Sequence, residues 1–406
     1  MAHYVRLGSI PHKRHTQFRK PDGSLYSEQV FGTKGFSGIA STLYHINLPT
    51  QADEFTPLDT PKVEVISDDP LQHHHVKTHN FPAGGDPVSG RQVLLMNDDV
   101  RIGLCRPVEP MPYFYKNADG DDLLFVHEGS GKLETMFGTL PYHEGDYLII
   151  PRGVIYRVVA DTTSRNPIIG DGSPATRGGE GVEQRMLVME SNASTIEPPH
   201  RYRNEYGQLL EHAPYCERDI RVPEALETHD ETGRFEVRVK SRGRLTAYFY
   251  KFHPLDVVGW DGFLYPWAIN IADFEPVTGS VHQPPPTHQM FEAHNFVVCS
   301  FVPRMLDYHP DAVPIPYNHS NLDSDELLYY VNGNFASRKG IEVGSMTLHP
   351  SGIPHGPQPG AVEASLGKTR TEELAVMVDT FRPLKLTKAA MSLEDTAYPF
   401  SWKPTG

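Results

Sequence analysis

The stretch GSMTLHPSGIPHG, residues 344–356, sets His349 and His355 among three glycines and two prolines. A turn needs neither histidine, whereas a metal site can use both the structure breakers and an imidazole that they position. Upstream, PYNHSNLDSDELLYYVNG offers His319 and Glu326, seven residues apart. Imidazole nitrogen and carboxylate oxygen are common donors to divalent first-row metals. The plainer reading is that these are core or turn residues. A denser tract, LQHHHVKTH (71–79), is expected to be an ordinary polar segment feeding a strand or a contact.

Positioning such side chains falls to β-strands. Helical periodicity is scarce. Short apolar runs bounded by Gly, Pro, Asp or Asn recur instead, among them RQVLLMN, DLLFVHEG, GDYLIIPRG, RMLVMES, RLTAYFYKF, NFVVCSFV, ELLYYVNG and ELAVMVDTF. Such runs predict strands, and their alternation with turn signals predicts an all-β barrel or jelly roll. Brief helices are expected near 302–309 and 384–392. The polar, glycine-rich stretch 160–181 reads as a linker or long surface loop. The polar, aromatic segment after it is expected to wrap from one domain to the next.

Two blocks of the chain repeat. YKNADGDDLLFVHEG (115–129) lies on HSNLDSDELLYYVNG (319–333) without a gap, matching Asn117 with Asn321, Asp122 with Glu326 and Gly129 with Gly333. GDYLIIPRGVIY (145–156) lies on GSMTLHPSGIPH (344–355), matching Gly145, Pro151 and Gly153 with Gly344, Pro350 and Gly352. Ordered blocks at similar separations predict two copies of one β-barrel domain, divided as residues 1–200 and 201–406.

The blocks resemble the two motifs of the cupin fold. Residues 319–333 supply His319, then Asn321 where the motif has a second histidine, then Glu326 and Gly333. Residues 344–355 supply Gly344, Pro350, Gly352 and His355 in the motif's full spacing. The resemblance implies a bicupin, two jelly-roll barrels with few short helices, whose later barrel holds a metal through His319, Glu326 and His355. The physics is consistent: strands aim alternate side chains inward, while the glycines permit and the prolines stiffen the bend that carries His355. Two imidazoles and one carboxylate leave coordination positions open, which suits Fe(II) and oxygen chemistry, although Zn, Mn or Ni also accept such donors. The earlier copy carries Tyr115, Asp122 and Tyr156 at these places, a poor Fe(II) set, and is expected to be structural.

The resemblance extends further. FHPLDVVGWDGFLYPWAIN (252–270), LYSEQVFGTKGFSGIASTLYH (25–45), FYKNADGDDLLFVHEGSGKLET, PYNHSNLDSDELLYYVNGNF and LHPSGIPHGP are similar to segments of homogentisate 1,2-dioxygenases, over roughly residues 25 to 380. That family opens the ring of homogentisate with O2 and Fe(II), giving maleylacetoacetate. The resemblance implies iron ligands at His319, Glu326 and His355, a substrate-contacting or proton-transferring histidine at His349, and an asparagine beside the first ligand at Asn321. It implies a catalytic base at His282 or His288, between which spacing does not choose. Phe335 stands where the family has a substrate-contacting tyrosine, which bears on recognition of the homogentisate carboxylate. The family also implies a homo-oligomer, a trimer or hexamer. Competing readings are ring cleavage of gentisate or a hydroquinone, a metal-dependent cupin isomerase, and a non-catalytic bicupin of the seed-storage kind.

Bulk properties narrow the partners. The 406 residues carry 37 Lys plus Arg against 51 Asp plus Glu, a formal net charge of -14. No basic tract is present to release counterions from nucleic acid, and anionic membrane surfaces repel such a chain. The partners expected are a small aromatic substrate and O2, with no nucleic acid and no membrane. Three separated cysteines, Cys105, Cys216 and Cys299, fit a reducing compartment. With no signal-like leader and no long apolar run, a cytoplasmic protein is expected.

Overall fold

The computed structural model describes residues 3–67, 70–161, 183–333, 335 and 340–403. From residue 162 the glycine-rich stretch lies outside the described residues. The chain is all-β, with helices of only a few residues among the described residues, and folds as a bicupin. Two seven-stranded sheets build the first barrel. One has Phe114–Asn117, Gly131–Thr135 and Tyr156–Ala160 near one edge; the other centres on Asp122–Glu128, Asp146–Ile150 and Arg185–Ser191. A six-stranded sheet dominates the second barrel, in the order Gln289–Ala293, Phe296–Phe301, Leu374–Thr380, Asp325–Asn332, Met346–His349 and His74–Val76. No helix among the described residues is long and apolar enough to cross a membrane.

The repeat holds at the level of single hydrogen bonds. Asp122 pairs with Ile150 as Glu326 pairs with His349. Tyr115 pairs with Tyr156 as His319 pairs with His355. The Gly153 N–H donates to the Asn117 carbonyl at 2.8 Å, and the Gly352 N–H donates to that of Asn321 at 2.7 Å. The Arg152 and Ser351 N–H groups donate to Asp121 and Asp325, both at 2.8 Å. Gly153 and Gly352 have φ of 89° and 83°, a left-handed backbone that a side chain would strain. The proline and glycine after each inner strand thus close the same bend twice.

The core lies where the two barrels meet. Phe125, Tyr147 and Phe291 pack in sequence across the interface, the first pair tilted and the second edge-on, with centroid separations of 4.8 and 5.1 Å. Tyr147 and Ser300 share a hydrogen bond of 2.9 Å between hydroxyls, and His127 meets the Tyr329 hydroxyl at 2.5 Å. Both faces of Leu374–Thr380 are largely covered, so its run of apolar residues is nearly continuous.

The division drawn at residue 200 is crossed in both directions. Thr232–Ser241 and Arg244–Phe252 extend a first-barrel sheet, and Trp267–Asn270 and Lys385–Leu386 edge the other. In return, His74–Val76 from the histidine tract pairs with Met346–His349 at the edge of the second barrel. Each exchanged strand covers an edge whose backbone groups would otherwise lack partners. Of the expected helices, Lys388–Met391 forms within 384–392. Residues 302–309 instead hold the short strand Arg304–Met305, paired with Arg370–Thr371. Pro303 withdraws a backbone donor there, and the Leu306 N–H bonds across to Thr369 at 2.9 Å rather than along a helix.

Candidate metal centre

Three segments deliver the donors. His319 and His355 face each other across an isolated antiparallel bridge, each N–H donating to the other's carbonyl at 2.8 Å. Glu326 comes from the start of Asp325–Asn332. The His319 Nε2 lies 3.5 Å from Glu326 Oε2, and the His355 Nε2 lies 3.3 Å from Oε1. The three donor atoms lie within 4.8 Å of one another, the one such group of histidine, cysteine and acid side chains among the described residues. Neighbouring donors about 2 Å from a common ion sit about 3 Å apart, so small adjustments suffice to close this set on one metal.

The state of the imidazoles supports that fit. Among the described residues, both ring nitrogens of buried His355 and Nδ1 of His319 lack hydrogen-bond partners. An unpartnered buried polar atom is costly, and a cation bound at Nε2 of His355 would satisfy one of them. Burial opposes ionisation of Glu326, but the surrounding His319, His349 and His355 outweigh it and hold the carboxyl well below its ordinary range. Its negative charge is thus available to a cation. Across the strand pair, burial and then the Glu326 charge push Asp379 up to about 8.

His349 stands behind this set. Its Nδ1 lies 2.8 Å from Glu326 Oε1, and its Nε2 lies 3.0 Å from the Tyr398 hydroxyl. A carboxylate only accepts, so the Nδ1 proton points at Glu326 and Nε2 accepts from Tyr398. His73 packs edge-on against His349 and His355, with centroids 5.4 and 6.0 Å away, and tilts against Trp402 at 4.9 Å. The histidine tract and the segment carrying Tyr398 and Trp402 therefore close one side of the centre.

The other side opens into a cavity of about 410 Å³, lined by His319, Glu326, Tyr317, His282 and His288 with apolar Phe301, Leu328 and Met377. That volume lies within the range of small-molecule pockets. His282 Nδ1 is 3.5 Å from Asp307 Oδ2. His288 packs on Phe301 at 4.5 Å, and burial, helped by the Arg304 and His282 charges, lowers it to about 3. Tyr317 sits edge-on between His282 and His319, at 5.4 and 5.8 Å.

The structure brings together His319, Glu326 and His355, with His282 and His288 in the adjoining cavity. His349, Asn321 and Phe335 are not among the residues lining that cavity. Asn321 joins the turn through its carbonyl, and Phe335 packs in a separate cluster with Cys299, Leu328, Tyr330 and Met377. Sequence reasoning missed Asp307, Arg304, Tyr398 and Asp379, which belong to no spaced motif.

Buried neutral histidines have a measurable consequence. His288 is lowered to about 3 and His127 to about 4, in both cases chiefly by burial. The unfolded chain binds protons at these residues below about pH 6.5, where the folded chain does not. Stability is therefore complete above that pH and falls as the pH drops toward the folded values. At pH 5 each histidine should cost about 2 kcal/mol. Urea unfolding at pH 7 and 5 checks this, and a His288→Asn variant should lose about half of the difference from this pair.

Comparison with known proteins identifies the family. Residues 44–171 match the family described as Homogentisate 1,2-dioxygenase N-terminal, and residues 268–405 match Homogentisate 1,2-dioxygenase C-terminal. The chain is 41% identical over 405 residues to a "Putative dioxygenase" of Saccharolobus solfataricus, covering 99% of each protein. It is 27% identical to the homogentisate 1,2-dioxygenase of Sinorhizobium medicae, over 95% of this chain and 87% of that one. A match to the Rhizobium etli enzyme, also 27% identical, spans 70% of this chain and 60% of the relative. With both family regions matched in order along one chain, the protein belongs to the homogentisate 1,2-dioxygenase family.

Proposed function

We propose that this protein is an Fe(II)-dependent ring-cleaving dioxygenase acting on homogentisate and O2 to give maleylacetoacetate, a step of aromatic amino-acid catabolism. The observation that carries this reading is the convergence of His319, Glu326 and His355 at the wall of a cavity wide enough for one aromatic ring. Those three residues would hold the iron, whose bound form supplies the redox and Lewis-acid chemistry that joins O2 to a diphenol.

The chain's own groups handle the protons. A phenol with a pKa of about 10 stays protonated near pH 7 and needs a base. His282 is the better placed of the two candidates: Asp307 Oδ2 lies 3.5 Å from its Nδ1, on one side of the ring, and Nε2 on the other side would take the phenolic proton. His288, held neutral chiefly by burial, shapes the cavity beside it. Tyr317 offers a hydroxyl to the ring oxygens. His349 acts through Glu326, fixing the carboxylate's orientation and so the direction of its donor atom.

Phe335 favours a second reading within the same class. With no hydroxyl at that place, gentisate or an uncharged hydroquinone is the alternative substrate. Oxygen uptake by protein reconstituted anaerobically with Fe(II) tests both. Homogentisate should consume one equivalent of O2 and develop the absorbance of an open-chain product. Uptake only with gentisate or hydroquinone would move the assignment, and no uptake with any para-diphenol would exclude an oxygenase. The same reading carries a cytoplasmic, trimeric or hexameric protein, which sedimentation would measure.

A further inference from the structure

Among the described residues, the cavity wall holds a partly buried cation that makes no ion pair. Arg304 lies on the short strand Arg304–Met305 and lines the same cavity as His319, Glu326 and His288. Among the described residues its side chain makes no hydrogen bond and no ion pair. Arg370, on the paired strand, is instead engaged with Glu372 at 2.5 Å. Burial works against the Arg304 charge, eased by Glu373, which lines the same cavity, and by Asp307. Its charge in turn reaches His288, whose protonated form it disfavours. A half-buried guanidinium with unused donors beside an aromatic-sized cavity suits a planar anion held by paired hydrogen bonds. Phe335, by contrast, has no hydroxyl and clusters with the wall residues Leu328 and Met377 without lining the cavity itself.

We propose that Arg304 is the specificity-determining residue of this site, selecting para-diphenols that carry a carboxylate. The proposal rests on the ring-cleavage reading above. The carboxylate takes the guanidinium fork, while Phe301, Leu328 and Met377 pack on the ring.

The test compares wild type, Arg304→Gln and Arg304→Lys on homogentisate and hydroquinone. In Arg304→Gln the ratio of kcat/KM for homogentisate over hydroquinone should fall about 100-fold, mainly through KM, as expected when one partner of a desolvated charge pair is removed. Arg304→Lys keeps the charge without the fork and should fall between the two. An equal loss on both substrates would mark a purely structural residue and overturn the proposal, as would an unchanged ratio. Calorimetric titration under argon separates this from the parent reading. If wild type consumes no O2 with either compound, the dioxygenase reading fails. Arg304 then stands only if wild type binds homogentisate more tightly than hydroquinone and Arg304→Gln erases that preference. Turnover with homogentisate that Arg304→Gln leaves untouched keeps the parent reading and ends this one.

Discussion

Glu326→Gln is expected to abolish both tight metal binding and oxygen uptake. Glu326 is the one anionic donor of the set, and three imidazoles already surround it. An amide keeps the shape but offers a neutral oxygen, and it can turn its NH2 toward the metal. Loss of residues that merely orient a ligand weakens binding 10- to 100-fold, so loss of the charged donor should exceed about 100-fold. A metal that binds only the folded chain raises its stability by about 2.7 kcal/mol at 100 times its dissociation constant. Added Fe(II) should therefore raise the Tm of chelator-treated wild type and leave that of Glu326→Gln unmoved. Metal analysis after dialysis, thermal melts with and without iron, and oxygen uptake read the three consequences separately. A variant that keeps its metal and full rate would show that another set of donors holds the ion.

What was legible in the sequence follows the reach of local physics. The spacing from Gly344 through Pro350 and Gly352 to His355 is local, because one bend fixes it. The repeat was legible because the same register and the same bend recur at Tyr115, Asp122 and Tyr156. The residues around these motifs were not. Tyr398 reaches His349 from 49 positions away, and Asp307 reaches His282 from a segment that read as helix. His349 has motif spacing, yet spacing does not say toward which side of Glu326 a ring points. Nor does strand patterning say which barrel an edge strand joins: His74–Val76 and Trp267–Asn270 each pair outside their own half of the chain. Those choices are made by long-range packing, which leaves no period in the sequence.

In the first barrel a guanidinium stands against the acid that matches Glu326, and Arg91→Met should expose its role. At the positions equivalent to His319, Glu326 and His355 stand Tyr115, Asp122 and Tyr156, all buried. Arg91 Nη2 donates to the Tyr156 hydroxyl at 2.9 Å, and that hydroxyl donates to Asp122 Oδ2 at 2.7 Å. Arg91 Nη1 lies 3.3 Å from Asp122 and 3.4 Å from Glu190, with the guanidinium 5.5 Å from the Tyr115 ring centroid. Asn117 donates to the second Asp122 oxygen at 2.6 Å. The acid that would face an ion in the other barrel here faces a covalently tethered cation. Removing that cation leaves the buried Asp122 carboxylate without its guanidinium partner. Breaking a buried pair in this way costs about 3–5 kcal/mol, so urea unfolding of Arg91→Met should show a loss of that size. Adding Asp122→Asn removes the stranded charge and should recover much of it. Iron content and oxygen uptake per folded molecule should stay near the wild-type values, because every proposed ligand lies between residues 319 and 355 of the other barrel. A loss under 1 kcal/mol, roughly that of an exposed pair, would mean that water reaches Asp122 and that the guanidinium does not replace an ion there.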